Sequence, residues 1–391
     1  MAARPEVQTA STPVTAVTLA GLGENLVNAL ARVPFRQPLQ GPGNLVENLG
    51  ANVTRQVIRS FMGYSTGLPI EEFRSMESAL DSLCRVVLPP WVALRDHTRL
   101  DTGTICGVPG LWARPREGDV DGTILYLHGG GYIGTSPTMY AAFVGALVAG
   151  TGCEVFVADY RLAPEFPFPA GLLDAVDVYR GLLEGGVDPS NLVVAGDSGG
   201  GGLATSLMAE LAERDLPPPS ALLLFSPEVD LDLDQPSVTD NAHRDILPWN
   251  IPVTSYLHGV HPDDARVSAV FADPEWYPPT FVAFGADEMF RDGIVAFTGH
   301  LESAGIPTEA HEEEGMFHVF PIVMPWTPAA KRVFARIDEF VAPSSSGDRL
   351  TEHRRGLRAG PQRRLTPAPT SVPCSRGRAK PWLRRREQRC P

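Results

Sequence analysis

The stretch Asn191–Gly202, which reads NLVVAGDSGGGG, decides the fold of this 391-residue chain. Its unbroken apolar run, Leu192–Ala195, is typical of a strand that is buried on both faces. The glycines that follow predict a tight turn into a helix, and Ser198 stands in that turn within a G-x-S-x-G element. A serine in this position exposes its hydroxyl at a helix N-terminus, where developing negative charge is favoured. Ser198 is therefore the candidate nucleophile.

A second glycine-rich stretch, Gly122–Tyr132 (GTILYLHGGGY), follows another buried strand. Backbone N–H groups that turn towards one point form an oxyanion hole, and glycines permit that geometry. We expect Gly199 to supply one N–H group and the His128–Gly131 loop to supply the others. His128 is expected to hold this loop by hydrogen bonding rather than to take part in catalysis. The alternative for this second stretch is a flexible turn, which would need no histidine at its start. For the Ser198 turn the alternative is a phosphate-binding loop, but neither dinucleotide spacing nor a P-loop lysine is present.

The general base is expected after the nucleophile, with the acid between them. His318 lies in a loop between the last predicted strand and the last predicted helix, from which it can reach back over the sheet edge. The remaining candidates fit packing or surface roles better, or precede the strand that should carry the acid: His243, His258, His261, His300 and His311.

The acid is expected at the end of the predicted strand Phe281–Gly285. Asp287 follows this strand directly, and a carboxylate there would fix the tautomer of His318 and stabilise its imidazolium form. Glu288 and Asp292 are the alternatives, and Asp292 fits better as the start of the next helix. Strand-end position alone favours Asp287.

From Trp91 onward, strand and helix patterns alternate, which predicts an α/β fold with a mostly parallel sheet and helices on both faces. We divide the chain into residues 1–90, an N-terminal helical cap; residues 91–343, the catalytic domain; and residues 344–391, a disordered basic tail. The alternative for the first segment is a plain helical layer outside the sheet. The tail lacks apolar periodicity, so we expect it to have no function, although its arginines could touch an anionic surface.

The formal net charge of −13 is unevenly distributed. From Ser345 to the end there are 13 basic and three acidic residues, so the rest of the chain is strongly acidic and is expected to repel nucleic acid. The five cysteines have neither metal-ligand nor redox spacing, so we expect no metal and no cofactor. No signal-peptide pattern and no run of about 20 apolar residues is apparent, which favours a cytoplasmic protein without a membrane span. A monomer and a homodimer both fit the sequence.

Taken together, these motifs resemble those of the hormone-sensitive lipase family of α/β-hydrolases, in its bacterial carboxylesterase branch. The matching stretches, in order, are His128–Tyr132 (HGGGY), Asp159–Glu165 (DYRLAPE), Gly196–Gly201 (GDSGGG), Pro278–Asp287 (PPTFVAFGAD) and His318. The resemblance implies an eight-stranded α/β-hydrolase fold with an N-terminal helical cap. It also implies a catalytic triad of Ser198, Asp287 and His318. The implied oxyanion donors are the N–H groups of Gly130, Gly131 and Gly199. The implied loop-supporting residues are Asp197, Glu165, His128 and Gly129.

The function implied by the resemblance is hydrolysis of short-chain carboxylic esters through an acyl-enzyme, with a small-molecule ester as substrate. The sequence departs from the family's motifs at two positions that bear on the substrate class. Gly199 stands where alanine is common, and Asp287-Glu288-Met289 stands where many relatives have Asp-Pro-Leu, which is more similar to the lactone hydrolases. A lactone hydrolase or amidase with the same triad, and a noncatalytic small-ligand receptor on this fold, are the alternatives.

Overall fold

The computed structural model describes residues 7–33, 44–248, 253–341 and 367–373. The strands in these ranges pair in one sheet. The sheet order is β8-β7-β6-β5-β3-β4-β2-β1-β9. The strands are β1 (Thr98–Ile105), β2 (Val108–Pro115), β3 (Thr123–Leu127), β4 (Glu154–Ala158), β5 (Leu192–Asp197), β6 (Ala221–Phe225), β7 (Thr280–Gly285), β8 (Thr308–Glu313) and β9 (Ser371–Val372). The predicted α/β fold is confirmed, with nine described strands in place of eight.

The centre of the sheet is parallel, and only β2 runs antiparallel to its neighbours β1 and β4 among the described strands. Strands β3 to β7 are buried along their whole length because helices cover both faces. Their register aligns Leu127 with Gly196 and Asp197 with Phe225. The carboxyl ends of β3, β5, β6 and β7 therefore meet at one edge of the sheet, where ligands bind in open α/β sheets.

Eleven α-helices surround this sheet in the described ranges. They are α1 (Thr12–Arg32), α2 (Leu45–Ser65), α3 (Ile70–Arg95), α4 (Ala141–Thr151), α5 (Ala170–Glu184), α6 (Ser198–Glu213), α7 (Pro236–Asp240), α8 (Val253–Leu257), α9 (Arg291–Ser303), α10 (Phe320–Val323) and α11 (Pro328–Val341). Apolar side chains of α4 and α11 pack in one cluster, and those of α5, α6 and α9 pack in another. Two apolar cores therefore enclose the sheet, as a doubly covered parallel sheet requires.

The N-terminal segment is helical, as predicted, and its predicted boundary at residue 90 falls inside helix α3. Helix α3 continues through Pro89 and Pro90 to Arg95, although prolines usually end helices. Packing outweighs the lost hydrogen bonds here, because Val92 is fully buried and Arg95 Nη2 donates to the Ala142 carbonyl oxygen at 3.0 Å. The cap helices and the sheet domain thus share one continuous helix.

Part of the basic tail is ordered, which corrects the expectation of disorder over residues 344–391. Residues Ser371 and Val372 pair in parallel with Thr104 and Ile105 at the sheet edge. The side chain of Arg114 also donates to the Ala368 carbonyl oxygen at 2.7 Å. A two-residue strand is too short to produce a periodic pattern, so the sequence gives no sign of it. The remainder of the tail lies outside the described residues.

Helix α1 meets the length and composition of a membrane span, contrary to the expectation that no run does so. A single such helix near the N-terminus is weak evidence, because signal sequences and core helices of soluble proteins pass the same test. Polar contacts tie α1 to its neighbours. The Tyr64 hydroxyl donates to the Thr18 carbonyl oxygen at 2.8 Å, and the Thr18 hydroxyl donates to Glu72 Oε2 at 2.8 Å.

Candidate active site

Ser198 occupies the turn between β5 and α6, as its sequence context predicts. Strand β5 ends at Asp197 and helix α6 begins at Ser198 with no residue between them. The backbone of Ser198 has φ +52°, a conformation that costs a non-glycine residue energy and that recurs at functional sites. This strained turn directs the side chain towards His318, whose Nε2 lies 2.8 Å from Ser198 Oγ.

The turn is tight because neighbouring backbone leaves no room for side chains. A Cβ atom at Gly196 would lie 2.4 Å from the Gly200 carbonyl oxygen. A Cβ atom at Gly200 would lie 2.2 Å from the carbonyl oxygens of Leu127 and His128. Glycine at these two positions therefore lets the nucleophile turn close against the end of β3.

Two buried side chains hold the loop around His318 by accepting hydrogen bonds from its backbone N–H groups. The His318 N–H group donates to Asp245 Oδ1 at 2.9 Å, and the next N–H group, that of Val319, donates to Ser226 Oγ at 2.9 Å. Burial by itself lowers the pKa of His318, but the Glu288 carboxylate, supported by Asp245 and Asp197, raises it above its ordinary value. The imidazole is therefore prepared to accept and hold a proton.

Glu288 is the carboxylate that faces His318. It is fully buried, and its Oε2 atom accepts hydrogen bonds from Ser226 Oγ at 2.6 Å and from the Gly285 N–H group at 2.9 Å. Its Oε1 atom lies 4.0 Å from His318 Nδ1, and neither of these two atoms has a hydrogen-bond partner among the described residues. One oxygen thus anchors the side chain, and the other is directed at the base.

Asp287, which the sequence favoured as the acid, is not directed at His318. Its carboxylate is 20% exposed and lies 3.6 Å from Arg55 Nη2 and 3.5 Å from Arg244 Nη1. Successive residues after a strand turn in different directions, and here the second of the two acidic residues turns inward. Asp292 lies in the first turn of α9, as predicted, where its Oδ2 accepts the Ser237 N–H group.

The glycine-rich loop after β3 lies beside the nucleophile turn. Gly130 and Gly131 have φ angles of +111° and +60°, which favour glycine. Among the described residues, no acceptor forms a hydrogen bond with the N–H groups of Gly130, Gly131 and Gly199. Gly199 also fits closely, since a Cβ atom there would lie 3.0 Å from the Tyr132 backbone nitrogen. A side chain at this position would therefore require Tyr132 to move by a few tenths of an ångström.

The predicted supporting residues hold this loop. Asp197 Oδ1 accepts the Gly129 N–H group at 2.9 Å and the Tyr126 hydroxyl at 2.8 Å, and burial raises the pKa of Asp197 to about 6. His128 Nδ1 lies 2.9 Å from the Gly129 carbonyl oxygen, and its ring stacks on Tyr160. Burial lowers the pKa of His128 to about 4, so the ring is neutral at physiological pH.

Arg74 of α3 is a supporting residue that the sequence did not indicate. Its guanidinium forms a bidentate pair with Glu165, at 2.9 and 2.7 Å. It also donates to the carbonyl oxygens of Ile133 at 2.5 Å and Ala163 at 2.8 Å. The predicted supporting role of Glu165 therefore operates through Arg74, which joins the cap to the glycine-rich loop.

Helix α2 contacts the opposite side of the site. Arg55 Nη2 donates to the Gly315 carbonyl oxygen at 3.1 Å, in the loop that carries the base. Arg59 Nη1 donates to the carbonyl oxygens of Ala242 and Asp245, at 2.6 and 2.9 Å. These contacts favour a cap over a plain helical layer. The sequence does not indicate these contacts, because the partners of both arginines lie more than 180 residues away in the chain.

Asp245 is a second supporting residue that the sequence did not indicate. Its Oδ1 accepts the N–H groups of His318 and Ile246, and its Oδ2 accepts the Met289 N–H group at 2.7 Å. One carboxylate thus joins the loop that carries His318 to the loop that carries Glu288 and Met289. Within the described ranges, no group of three or more histidine, cysteine or acidic side chains is arranged to hold a metal ion.

Comparisons with known proteins agree with this architecture. Residues 124–322 match the model of a family described as having the alpha/beta hydrolase fold. The chain is 35% identical over 236 residues to an acetyl-hydrolase of Streptomyces hygroscopicus, covering 59% of this chain and 79% of the relative. It is 32% identical over 272 residues to an esterase of Acinetobacter venetianus, covering 68% and 88% of the two chains.

A solved structure extends the match. An esterase from the bacterial hormone-sensitive lipase family superposes with a TM-score of 0.65 and 30% identity, over 74% of this chain and 97% of that chain. The chain therefore belongs to the hormone-sensitive lipase family of α/β-hydrolases, and it is a carboxylic ester hydrolase.

Proposed function

We propose that this protein is a serine carboxylesterase that hydrolyses short-chain carboxylic esters through an acyl-enzyme, with Ser198, His318 and Glu288 as the triad. The observation that carries the proposal is the 2.8 Å contact between Ser198 Oγ and His318 Nε2 at a strained strand-to-helix turn. The base is oriented in turn by the buried Glu288 carboxylate on its other side. Nucleophile, base and orienting acid in this order are the requirements for acyl transfer at a serine.

In the first step, His318 Nε2 takes the proton of the Ser198 hydroxyl as Oγ attacks the ester carbonyl carbon. The carbonyl oxygen becomes an oxyanion, for which the unpaired N–H groups of Gly130, Gly131 and Gly199 are the donors. Backbone donors that are already turned towards the oxyanion stabilise the transition state without reorganisation. Collapse of the tetrahedral intermediate breaks the ester C–O bond, and His318 gives its proton to the departing alcohol.

In the second step, water attacks the acyl-enzyme and loses a proton to His318. The second tetrahedral intermediate breaks the bond to Ser198 Oγ, which recovers the proton as the carboxylic acid leaves. Glu288 stabilises the imidazolium in both steps and keeps the proton of neutral His318 on Nδ1, so that Nε2 is free to accept. Asp197 and Arg74 act as positioning residues, since they contact the glycine-rich loop rather than the reacting atoms.

Preference for short acyl groups is supported by two observations. One relative is named as an acetyl-hydrolase. In addition, Ser198 is buried and Tyr132 packs directly against Gly199. Both observations favour acyl groups of few carbon atoms.

The test is hydrolysis of p-nitrophenyl esters from acetate to palmitate by the wild type, Ser198→Ala and Ser206→Ala. Ser206 is a matched control on the same helix, because its buried hydroxyl donates only to the Gly202 carbonyl oxygen within the helix. We expect activity to peak at short chains, to vanish in Ser198→Ala and to persist in Ser206→Ala. Activity that survives in Ser198→Ala would exclude Ser198 as the nucleophile. A folded wild type that is inactive on every ester would favour a lactone hydrolase, an amidase or a noncatalytic receptor.

We also propose a cytoplasmic location. Cys84 and Cys153 are free thiols, which fits a reducing compartment. Fractionation of expressing cells is expected to place the protein in the soluble fraction. Recovery with membranes that is lost when residues 7–33 are removed would assign α1 to the bilayer instead.

A further inference from the structure

Four buried oxygen atoms beside the triad have no hydrogen-bond partner within the described residues. They are both carboxylate oxygens of Glu228 and the hydroxyl oxygens of Tyr132 and Tyr256. These three side chains are only 1%, 2% and 3% exposed, respectively. Buried polar groups are nearly always paired, so a cluster of unpaired ones requires an explanation such as a missing ligand.

The cluster adjoins the reacting atoms. The Glu228 N–H group donates to the Ser198 carbonyl oxygen at 3.0 Å, and Tyr132 follows Gly131 of the glycine-rich loop. The Tyr132 ring also approaches Gly199, since a Cβ atom there would lie 3.1 Å from the ring. The cluster therefore borders both the nucleophile and the oxyanion donors.

The three side chains form one electrostatic group. The rings of Tyr132 and Tyr256 stack with centroids 3.7 Å apart and planes 8° apart. Burial, followed by the charge of Glu228, raises the pKa of both phenols, so each hydroxyl keeps its proton. Burial raises the pKa of Glu228 to about 7, although the charge of His318 opposes this shift. The cluster thus offers one carboxyl acceptor and two hydroxyl donors.

A surface groove is lined by the residue that follows Tyr132 and the residue that precedes Tyr256 in the chain. Ile133 and Ser255, the chain neighbours of Tyr132 and Tyr256, line it together with Phe73 and other residues of the cap.

On the basis of the esterase function proposed above, we propose that Glu228, Tyr132 and Tyr256 form a polar subsite that binds a hydroxyl group of the ester substrate. A hydroxyl group both donates and accepts, so it satisfies the Glu228 carboxylate and a phenol at the same time. An ammonium group only donates, so it could not accept from either phenol and would leave the two O–H donors without an acceptor. The substrate class is therefore a short ester that carries a hydroxyl substituent, on its acyl or its alcohol portion.

Two pairs of substrates distinguish these positions. The acyl arm compares p-nitrophenyl 3-hydroxybutyrate with p-nitrophenyl butyrate, and the alcohol arm compares 3-hydroxypropyl acetate with propyl acetate in a pH-stat. For the wild type we expect kcat/KM to favour the hydroxylated ester by about tenfold or more in one arm, the usual size of a hydrogen bond to a charged group. That ratio is expected to fall to about one in Glu228→Leu, and part-way in Glu228→Gln and Tyr256→Phe.

Tyr179→Phe is the matched control, because the Tyr179 hydroxyl donates to the Pro217 carbonyl oxygen outside the cluster. Its substrate ratio is expected to equal that of the wild type. A wild type that hydrolyses butyrate and propyl acetate without any hydroxyl preference would overturn the subsite alone. A hydroxyl preference that persists in Glu228→Leu and Tyr256→Phe would also overturn it. A wild type that hydrolyses no ester would overturn the proposed function, and the subsite with it.

Discussion

Replacement of Glu288 by glutamine tests the central assignment of the acid. The change keeps the size of the side chain, and its amide oxygen still accepts the hydrogen bonds from Ser226 and Gly285. The amide NH₂ group then faces His318 Nδ1, which favours the tautomer with its proton on Nε2. That tautomer cannot accept the proton of Ser198.

The magnitude follows from the distance between charges. The imidazolium that forms during catalysis lies 4.0 Å from Glu288 Oε1. At this separation a pair of charges interacts by about 4 kcal/mol at an effective dielectric constant of about 20. Loss of that stabilisation raises the barrier enough to lower kcat by about 10³-fold.

Asp287→Asn is the matched control, one position away in the chain. Asp287 pairs with Arg55 and Arg244 at the surface, and such pairs contribute about 0–1 kcal/mol to stability. We expect kcat to change by less than about threefold. The assay is steady-state hydrolysis of p-nitrophenyl acetate, with circular dichroism to confirm folding. A larger loss of kcat in Asp287→Asn than in Glu288→Gln would refute the assignment of Glu288.

The pH profile gives an independent measurement of the same interaction. Protonated His318 cannot act as a base, so kcat/KM is expected to rise with pH through the pKa of His318. Burial alone would lower that pKa, but the Glu288 carboxylate holds it above its ordinary value. The acid limb of the residual activity of Glu288→Gln is therefore expected at lower pH than that of the wild type. An unchanged or higher midpoint would contradict the contact.

Two positioning residues give further predictions. Arg74→Met removes the partner of Glu165 and is expected to destabilise the fold by about 3 kcal/mol and to lower kcat/KM at least tenfold. Arg85→Met, at an exposed ion pair on the same helix, should change neither thermal stability nor activity measurably. Asp245→Asn places an NH₂ group against backbone donors, so it is expected to lower both the melting temperature and kcat, with a loss of about 2 kcal/mol of stability. The exposed Asp240→Asn is its control, and equal melting temperatures for the two variants would contradict the bridging role of Asp245.

The placement of Ser198 and of the glycine-rich loop was predictable because their signals are local. A buried strand, a glycine turn and a helix in direct succession require only neighbouring residues, and the structure places Ser198 with φ +52° at that junction. His318 was predictable for a related reason, since a loop after the last parallel strand opens at the same sheet edge as the nucleophile.

The supporting contacts were not predictable, because their partners are distant in the chain. Arg74 reaches Glu165 across 91 residues, and Asp245 reaches His318 across 73 residues. Strand β9 pairs with β1 across more than 260 residues through only two residue pairs. Isolated polar residues and a two-residue strand have no periodicity, so only the folded chain identifies them.

The sequence by itself determined the order of the chemistry and the strand ends from which it comes, because hydrophobic runs and glycine turns are properties of adjacent residues. It narrowed the acid to the end of β7 and favoured Asp287, whereas the carboxylate that faces His318 is that of Glu288. That choice depends on which side chain finds buried hydrogen-bond donors. Ser226 and Gly285 supply them to Glu288, whereas Arg55 and Arg244 hold Asp287 at the surface. Only the tertiary structure brings these donors and arginines together, and so it alone decided which carboxylate faces His318.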